Sequence, residues 1–350
     1  MSNHLASEYP VIGDKLPVLA LGDLPTPVSL ERFSLASKSH DIVIKHDNLT
    51  GKRYGGNKVR KLEYLLCRAH DRGATRVATF GTVGSNHAVA TALYAGCVGL
   101  ECTCFLSHQS LRPGLGTALR FHQQHGTAIV RFGGNRCDRI ATLRKHLHGR
   151  HAWVIPLGGS SWLGAVGFVN AGLELAAQIQ AGDLPTPTRI YVALGTMGTA
   201  VGLALGLALA RLDIEVQAIR VTERQYANEA AAAHLVDKTA KLMRHYDSSI
   251  PADLSDRARL VCRNEFFGDG YGRSNEATEA AITIADKQLG LTLDSTYSGK
   301  AMAAVLHDLR AGYSAPVLFW NTYNSQPLDV DTNVAPDFDV MPREFARYFA

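Results

Sequence analysis

The sequence predicts an α/β protein built as two open, twisted parallel-sheet lobes with helices on both faces. Three observations carry this expectation. Short apolar runs alternate with helically spaced segments in two successive series, turn residues separate them, and 350 residues at 46% hydrophobic suit two modest cores.

After a Pro-rich lead-in (Pro10, Pro17, Pro25, Pro27), DIVIKHD at 41–47 alternates as a strand does. Residues 57–72 then take helical spacing through Val59, Leu62, Leu65 and Leu66. Strands follow at VATFG (77–81), ECTCFL (101–106), AIVRFG (128–133) and WVIPLG (153–158), with helices opening near Ser85, Gly116 and Asp138. A longer helical stretch, 163–180, leads through the turn-rich AGDLPTPT to a second series. That series comprises RIYVALG (189–195), a helix from Thr199, EVQAIRV (215–221), helices from Asn275 and Gly299, and PVLFWNT (316–322). The Ala run at 230–233 reads as ordinary helix. No repeat of 20–50 residues recurs, which excludes a solenoid.

The formal charge of +4 comes from 36 Lys and Arg against 32 Asp and Glu, interspersed, without a basic run suited to nucleic acid or a membrane surface. Small molecules are the expected partners. Six cysteines show neither a dense disulfide framework nor paired CxxC spacing, so reduced thiols are expected. The N-terminus lacks a basic start followed by an apolar core, and no window approaches eighteen consecutive apolar residues. A cytoplasmic location is the resulting expectation. FHQQH (His122, His125) and HLHGRH (His146, His148, His151) lack a carboxylate or cysteine complement, so no metal site is expected.

Three segments carry candidate chemistry. In GGNKVRKLEYLL (55–66), Lys58 opens a helix, where the positive end of the helix dipole disfavours a cation and lowers the amine's pKa. A neutral amine is what a Schiff-base lysine needs, and Gly55 and Gly56 let backbone pass close to a bound ring. The plain alternative is a surface lysine after a glycine turn. In VALGTMGTAVGL (192–203), the Gly195–Thr199 loop sets N–H donors and hydroxyls at a helix N-terminus, suited to a phosphate dianion. It lacks both the GK[ST] ending and GxGxxG spacing, which excludes a Walker loop and leaves a nicotinamide cofactor as a weak alternative. In FGTVGSNHAVA (80–90), Ser85 caps a helix whose first turn holds Asn86 and His87. The same loop could hold a substrate carboxylate with the Ser85 hydroxyl aimed at the reacting carbon.

Together with DGYGRSNEATEAA (269–281) and LDSTYSGKAM (293–302), these segments, in this order, resemble the pyridoxal-phosphate (PLP) enzymes of the tryptophan-synthase-β fold. The branch resembled contains D-cysteine desulfhydrase and 1-aminocyclopropane-1-carboxylate deaminase, and the likeness covers roughly residues 40–325. It implies PLP in a cleft between a large domain (1–65 plus 176–350) and a small one (66–175), and a homodimer. It implies Lys58 as the Schiff-base lysine, Lys61 as a phosphate contact, and Gly195, Thr196, Met197, Gly198 and Thr199 around the remaining phosphate oxygens. Asn86 would bond the ring hydroxyl, Ser85, Asn86 and His87 would meet the substrate, Tyr271 and Tyr297 would line the reaction site, and Thr322 would lie beside the pyridine nitrogen. The implied reaction is α,β-elimination on D-cysteine or another β-substituted alanine, yielding a 2-oxo acid, ammonia and the leaving group. Ring-opening deamination, β-replacement synthesis and a PLP-binding regulatory role stand as alternatives.

The chain departs from the family pattern in three places. GSNHAVA stands for the usual QSNHxRQ. Asn321, Tyr323 and Asn324 flank Thr322 where HTGG is usual, so larger side chains refill space beside the cofactor. Ser298 stands where ring-opening deaminases have an acidic residue, which disfavours ring opening.

Overall fold

The computed structural model describes residues 3–149 and 151–349. Its strands are β1 (Val28–Leu35), β2 (Lys38–Lys45), β3 (Arg76–Thr82), β4 (Glu101–Ser107), β5 (Ala128–Arg131), β6 (Ala152–Val154), β7 (Arg189–Leu194), β8 (Glu215–Arg220), β9 (Leu260–Arg263) and β10 (Val317–Trp320). The chain divides into two compact units. One holds residues 1–64 and 160–326, the other 65–159 and 327–350.

The first unit contains a six-stranded sheet in the order β1-β2-β10-β7-β8-β9. All its neighbours run parallel except the β1–β2 pair, an antiparallel hairpin whose register runs from Val28 opposite Lys45 to Leu35 opposite Lys38. Strand β1 falls directly after the Pro-rich lead-in, where the sequence predicts no strand. Its exposed Leu30, Arg32 and Ser34 alternate with half-buried or buried Ser29, Glu31, Phe33 and Leu35, so no continuous apolar run marks it, as suits an edge strand. Strand β9 is an edge strand too, and it is short and partly exposed. The central β7 and β10 are apolar and almost wholly buried, with Tyr191, Val192, Leu318 and Phe319 inaccessible to solvent.

One helix of this unit, Trp162–Ala181, is long and apolar enough by composition to cross a membrane, yet most of it lies inside the unit as a core helix. It packs against the equally apolar helix Gly198–Leu209 through glycines. A Cβ built on Gly206 would stand 2.3 Å from the Val169 carbonyl oxygen, and one on Gly172 would stand 2.9 Å from the Gly206 Cα. Glycine is required there for close helix contact, so Gly206→Val should lower stability by roughly 1–3 kcal/mol or more through overpacking. Denaturant unfolding of that variant checks the size of the effect.

The second unit contains a four-stranded parallel sheet in the order β5-β4-β3-β6, with Phe80, Phe105 and Phe132 packed together on it. The apolar run WVIPLG continues only briefly as strand. Pro156 has no N–H to donate, and Gly158 and Gly159 take φ of 63° and 64°, so the chain turns there.

The boundaries differ from the division into 1–65 plus 176–350 and 66–175. Residues 160–175 belong to the first unit because their helix is welded to Gly198–Leu209. The tail 327–350 belongs to the second unit, where the Tyr348 hydroxyl lies 3.0 Å from His108 Nδ1 and accepts from the Gln109 N–H.

Candidate active site

In the first unit, the helix Lys58–Asp71 begins with Lys58 after a tightly tethered turn. A Cβ on Gly55 would lie 2.0 Å from the Asn48 carbonyl oxygen, and one on Gly56, at φ 88°, would lie 2.9 Å from the Thr322 carbonyl oxygen. The glycines are therefore required by close-packed backbone of this same unit. The Gly55 N–H donates to Asn324 Oδ1 at 2.7 Å, and the Asn57 N–H donates to the Thr322 carbonyl. The replaced segment Asn321–Asn324 is thus a clasp: Asn324 also accepts the Gln326 N–H and donates to the Gln326 carbonyl.

Lys58 is only partly exposed, and desolvation holds its ammonium down to about 8, against the opposing pull of the Asp294 carboxylate. Asp294 itself accepts the backbone N–H groups of Thr296, Tyr297 and Ser298 and the Ser298 hydroxyl, which donates at 2.7 Å. Replacing Asp294 by asparagine should move the Lys58 midpoint below about 8, which the pH dependence of PLP uptake by cofactor-free protein would report. Ser298 is fully buried, and its hydroxyl is committed to this turn.

One turn along the helix, Lys61 is almost completely buried, with Nζ 3.3 Å from Ser160 Oγ. Burial, and secondarily the neighbouring Lys58, push its pKa well below the usual lysine range. Ser160 Oγ donates to Thr196 Oγ1 at 2.8 Å and accepts the Gly198 N–H at 3.2 Å. Asn57 donates to Thr199 Oγ1 at 3.0 Å. Met197 takes φ 70°, a left-handed conformation rare for a side-chain-bearing residue, as the loop enters helix Gly198–Leu209. A Cβ on Gly198 would stand 2.9 Å from Ser160 Oγ and 3.1 Å from Lys61 Nζ. This cradle of three hydroxyls, a lysine amine and a helix N-terminus fits a phosphate dianion, which would also offset the desolvation of Lys61. Sequence reasoning misses Ser160. Its signal is the GGSSW stretch before an apolar helix, which resembles any helix cap.

Tyr271 and Tyr297 meet with their hydroxyl oxygens 2.5 Å apart, and the Tyr297 ring lies 3.3 Å from where a Gly195 Cβ would stand. The buried Lys300 donates to the Phe267 and Gly270 carbonyls at 2.5 and 3.3 Å, fixing the loop that carries Tyr271. Thr322 is buried at the end of β10.

Ser85, Asn86 and His87 stand in the second unit, after β3. Ser85 Oγ accepts the Ala88 N–H at 3.2 Å as the cap of helix Asn86–Cys97. Thr79 Oγ1 donates to the Ile155 carbonyl and lies 2.9 Å from His87 Nε2, so that nitrogen is the donor and ties the buried imidazole to β3. The space opened by Gly84 is already filled, since a Cβ there would stand 2.5 Å from Leu115 Cδ2, with Arg112 and Gln109 beside it.

The chain belongs to the pyridoxal-phosphate-dependent enzymes, whose family pattern matches residues 19–322. PLP is accordingly its cofactor, and it is an enzyme of the lyase and deaminase type. A D-cysteine desulfhydrase of Klebsiella pneumoniae subsp. pneumoniae is 31% identical over 326 residues, 88% of this chain and 94% of that protein. One from Salmonella schwarzengrund is 32% identical over 325 residues, with the same coverage. The crystal structure of an ACC deaminase homologue superposes with a TM-score of 0.75 at 28% identity, covering 92% of this chain and 95% of that one. A fungal L-serine ammonia-lyase from Rhizomucor miehei, 17% identical with a TM-score of 0.56 over 90% of this chain and 96% of its own, shares the fold.

Proposed function

We propose that the protein eliminates the β-substituent of D-cysteine, taking up water to give pyruvate, ammonia and hydrogen sulfide. The observation that carries this reading is one helical turn that bears both a lysine held to about 8 and a second lysine buried in a hydroxyl-lined cradle. The D-cysteine desulfhydrase relatives support the substrate.

When bound, PLP supplies an electron sink that acidifies the substrate's α-carbon. In this reading Lys58 would hold the aldehyde end of the cofactor and would move the substrate's α-proton at its Nζ. Lys61, Ser160 and the loop Gly195, Thr196, Met197, Gly198 and Thr199 would hold the phosphate. The Tyr271–Tyr297 hydroxyl pair would pass a proton to the departing sulfur, because each phenolic hydroxyl can both donate and accept. Ser85 and Asn86 would receive substrate carboxylate and ring hydroxyl, while Thr322 would stand by the ring nitrogen. His87 serves as the anchor that orients that loop. Ring opening is less well supported, since the Ser298 hydroxyl already donates to Asp294.

Purified protein given D-cysteine should release sulfide and pyruvate in equal amounts. Sulfide with no pyruvate, or pyruvate from 1-aminocyclopropane-1-carboxylate at a matching rate, would redirect the assignment. The pH profile offers a second check. PLP uptake by cofactor-free protein should accelerate as pH rises through about 8 and then level off, because only neutral Nζ attacks a carbonyl, whereas an ordinary lysine would keep climbing toward 10.5. A cytoplasmic homodimer completes the proposal, supported by the reduced state expected of the cysteines and by the family resemblance. Light scattering reporting a single-chain mass would remove the dimer.

A further inference from the structure

Behind the Lys58 turn lies a buried ionic cluster that none of the steps above uses. Arg60, 1% exposed, donates from Nε and Nη2 to Asp47 at 2.8–3.1 Å, from Nη1 and Nη2 to both Glu174 oxygens at 2.9 Å, and from Nη2 to Thr26 Oγ1 at 3.0 Å. Lys45 Nζ donates to Glu174 and Gln178 at 2.6 Å and to the Thr26 carbonyl at 2.8 Å. Thr26 closes the ring by donating its hydroxyl to Asp47 at 3.0 Å and its N–H to Glu174. Two cations thus face two carboxylates, Lys45, Asp47 and Glu174 being entirely inaccessible to solvent.

The cluster grips the Lys58 segment from both sides. Before the helix, the Gly56 N–H donates to the Asp47 carbonyl at 2.8 Å, and Thr50 Oγ1 donates to the Gly56 carbonyl. Within it, Arg60 follows Lys58 by two residues and precedes Lys61. At 3.6 residues per turn its side chain leaves the helix about 200° from Lys58 and about 100° from Lys61. Rotating the helix enough to misdirect either lysine would therefore pull the guanidinium out of its fork. The partner helix is equally close, since a Cβ on Gly167 would lie 2.1 Å from the Arg60 carbonyl oxygen.

We propose that Arg60, Asp47, Glu174, Lys45 and Thr26 form a positioning device that sets the rotation of the cofactor-bearing turn, holding Lys61 in the phosphate cradle and Lys58 at its working angle. A guanidinium suits this task because its planar fork fixes direction, which a lysine at position 60 would not. The inference rests on the assignment of Lys58 and Lys61 to PLP.

The test compares wild type, Arg60→Lys, Thr26→Val and a control, Asp308→Asn, which breaks a different charge cluster around Arg263 and Arg189. Each protein is stripped of cofactor and its melting temperature measured. PLP is then titrated back, and the pH midpoint of its uptake recorded. Arg60→Lys and Thr26→Val should bind PLP roughly 10-fold more weakly or worse, with a displaced pH midpoint, because small misplacements of reacting groups are costly. Asp308→Asn should lose melting temperature while keeping both values. Thr26→Val removes a single hydroxyl and decides the matter if Arg60→Lys does not fold. Unchanged affinity and midpoint in a folded Thr26→Val, or affinity losses that follow melting temperature equally in all variants, would overturn the positioning role. A wild type that takes up no PLP would instead sink the assignment of Lys58.

Discussion

Lys58→Ala should remove the visible absorption band of the PLP-loaded protein and lower turnover of D-cysteine by on the order of 10^3-fold or more, since in the proposed mechanism one amine would both carry the cofactor and move the proton. The expectation follows from the chemistry of the position. A lysine at a helix N-terminus, desolvated to about 8, is poorly suited to a structural ion pair and well suited to nucleophilic attack. Lys61→Ala should behave differently, keeping the band at saturating PLP while weakening affinity for the cofactor, because its amine stands beside Ser160 in the cradle. Absorption spectra of the two variants, taken across a PLP titration, separate the roles. A Lys58→Ala protein that keeps a wild-type band would exclude Lys58 as the attachment point.

Arg60→Met produces the largest loss of stability, about 3–5 kcal/mol, because it leaves the carboxylates of Asp47 and Glu174 buried with only Lys45 to compensate them. Although desolvation alone would raise it, the charges of Arg60 and Lys45 hold the Glu174 carboxyl down to about 2 from 4.5. The sign of the linkage follows. A depressed carboxyl contributes stability that is complete above about 4.5 and is lost as pH falls toward 2, so the wild-type advantage over Arg60→Met should shrink across that window. Denaturant unfolding of both proteins at neutral pH and at pH 3 measures it. A loss near zero at neutral pH would mean that methionine packs as well as the ionic cluster holds.

Much of this organisation is legible in the sequence, for reasons that can be named. The central strands β7, from Ile190 on, and β10 are continuous apolar runs, and such runs buried on both faces are the plainest mark of a parallel sheet. The edge strands β1 and β9 escape notice because one side of each meets solvent and their hydrophobic pattern is diluted. At the site, Lys58, Lys61 and the Gly195–Thr199 loop stand out because unusual residue types occur at a helix N-terminus. Ser160 and the Arg60 cluster do not. Their partners lie between 13 and 148 residues apart in sequence, and only folding makes them neighbours. The glycines of GGNK show the difference between noticing a residue and explaining it. Their presence signals crowding, but the crowding comes from the Asn48 and Thr322 carbonyls.

Borohydride trapping tests the proposed attachment of PLP through Lys58 most directly. Reduction of the loaded protein, followed by proteolysis and mass spectrometry, should place a single pyridoxyl adduct on the peptide containing Lys58. An adduct on Lys61 or Lys300 instead, or a loaded protein in which Lys58 is recovered unmodified, would contradict the account.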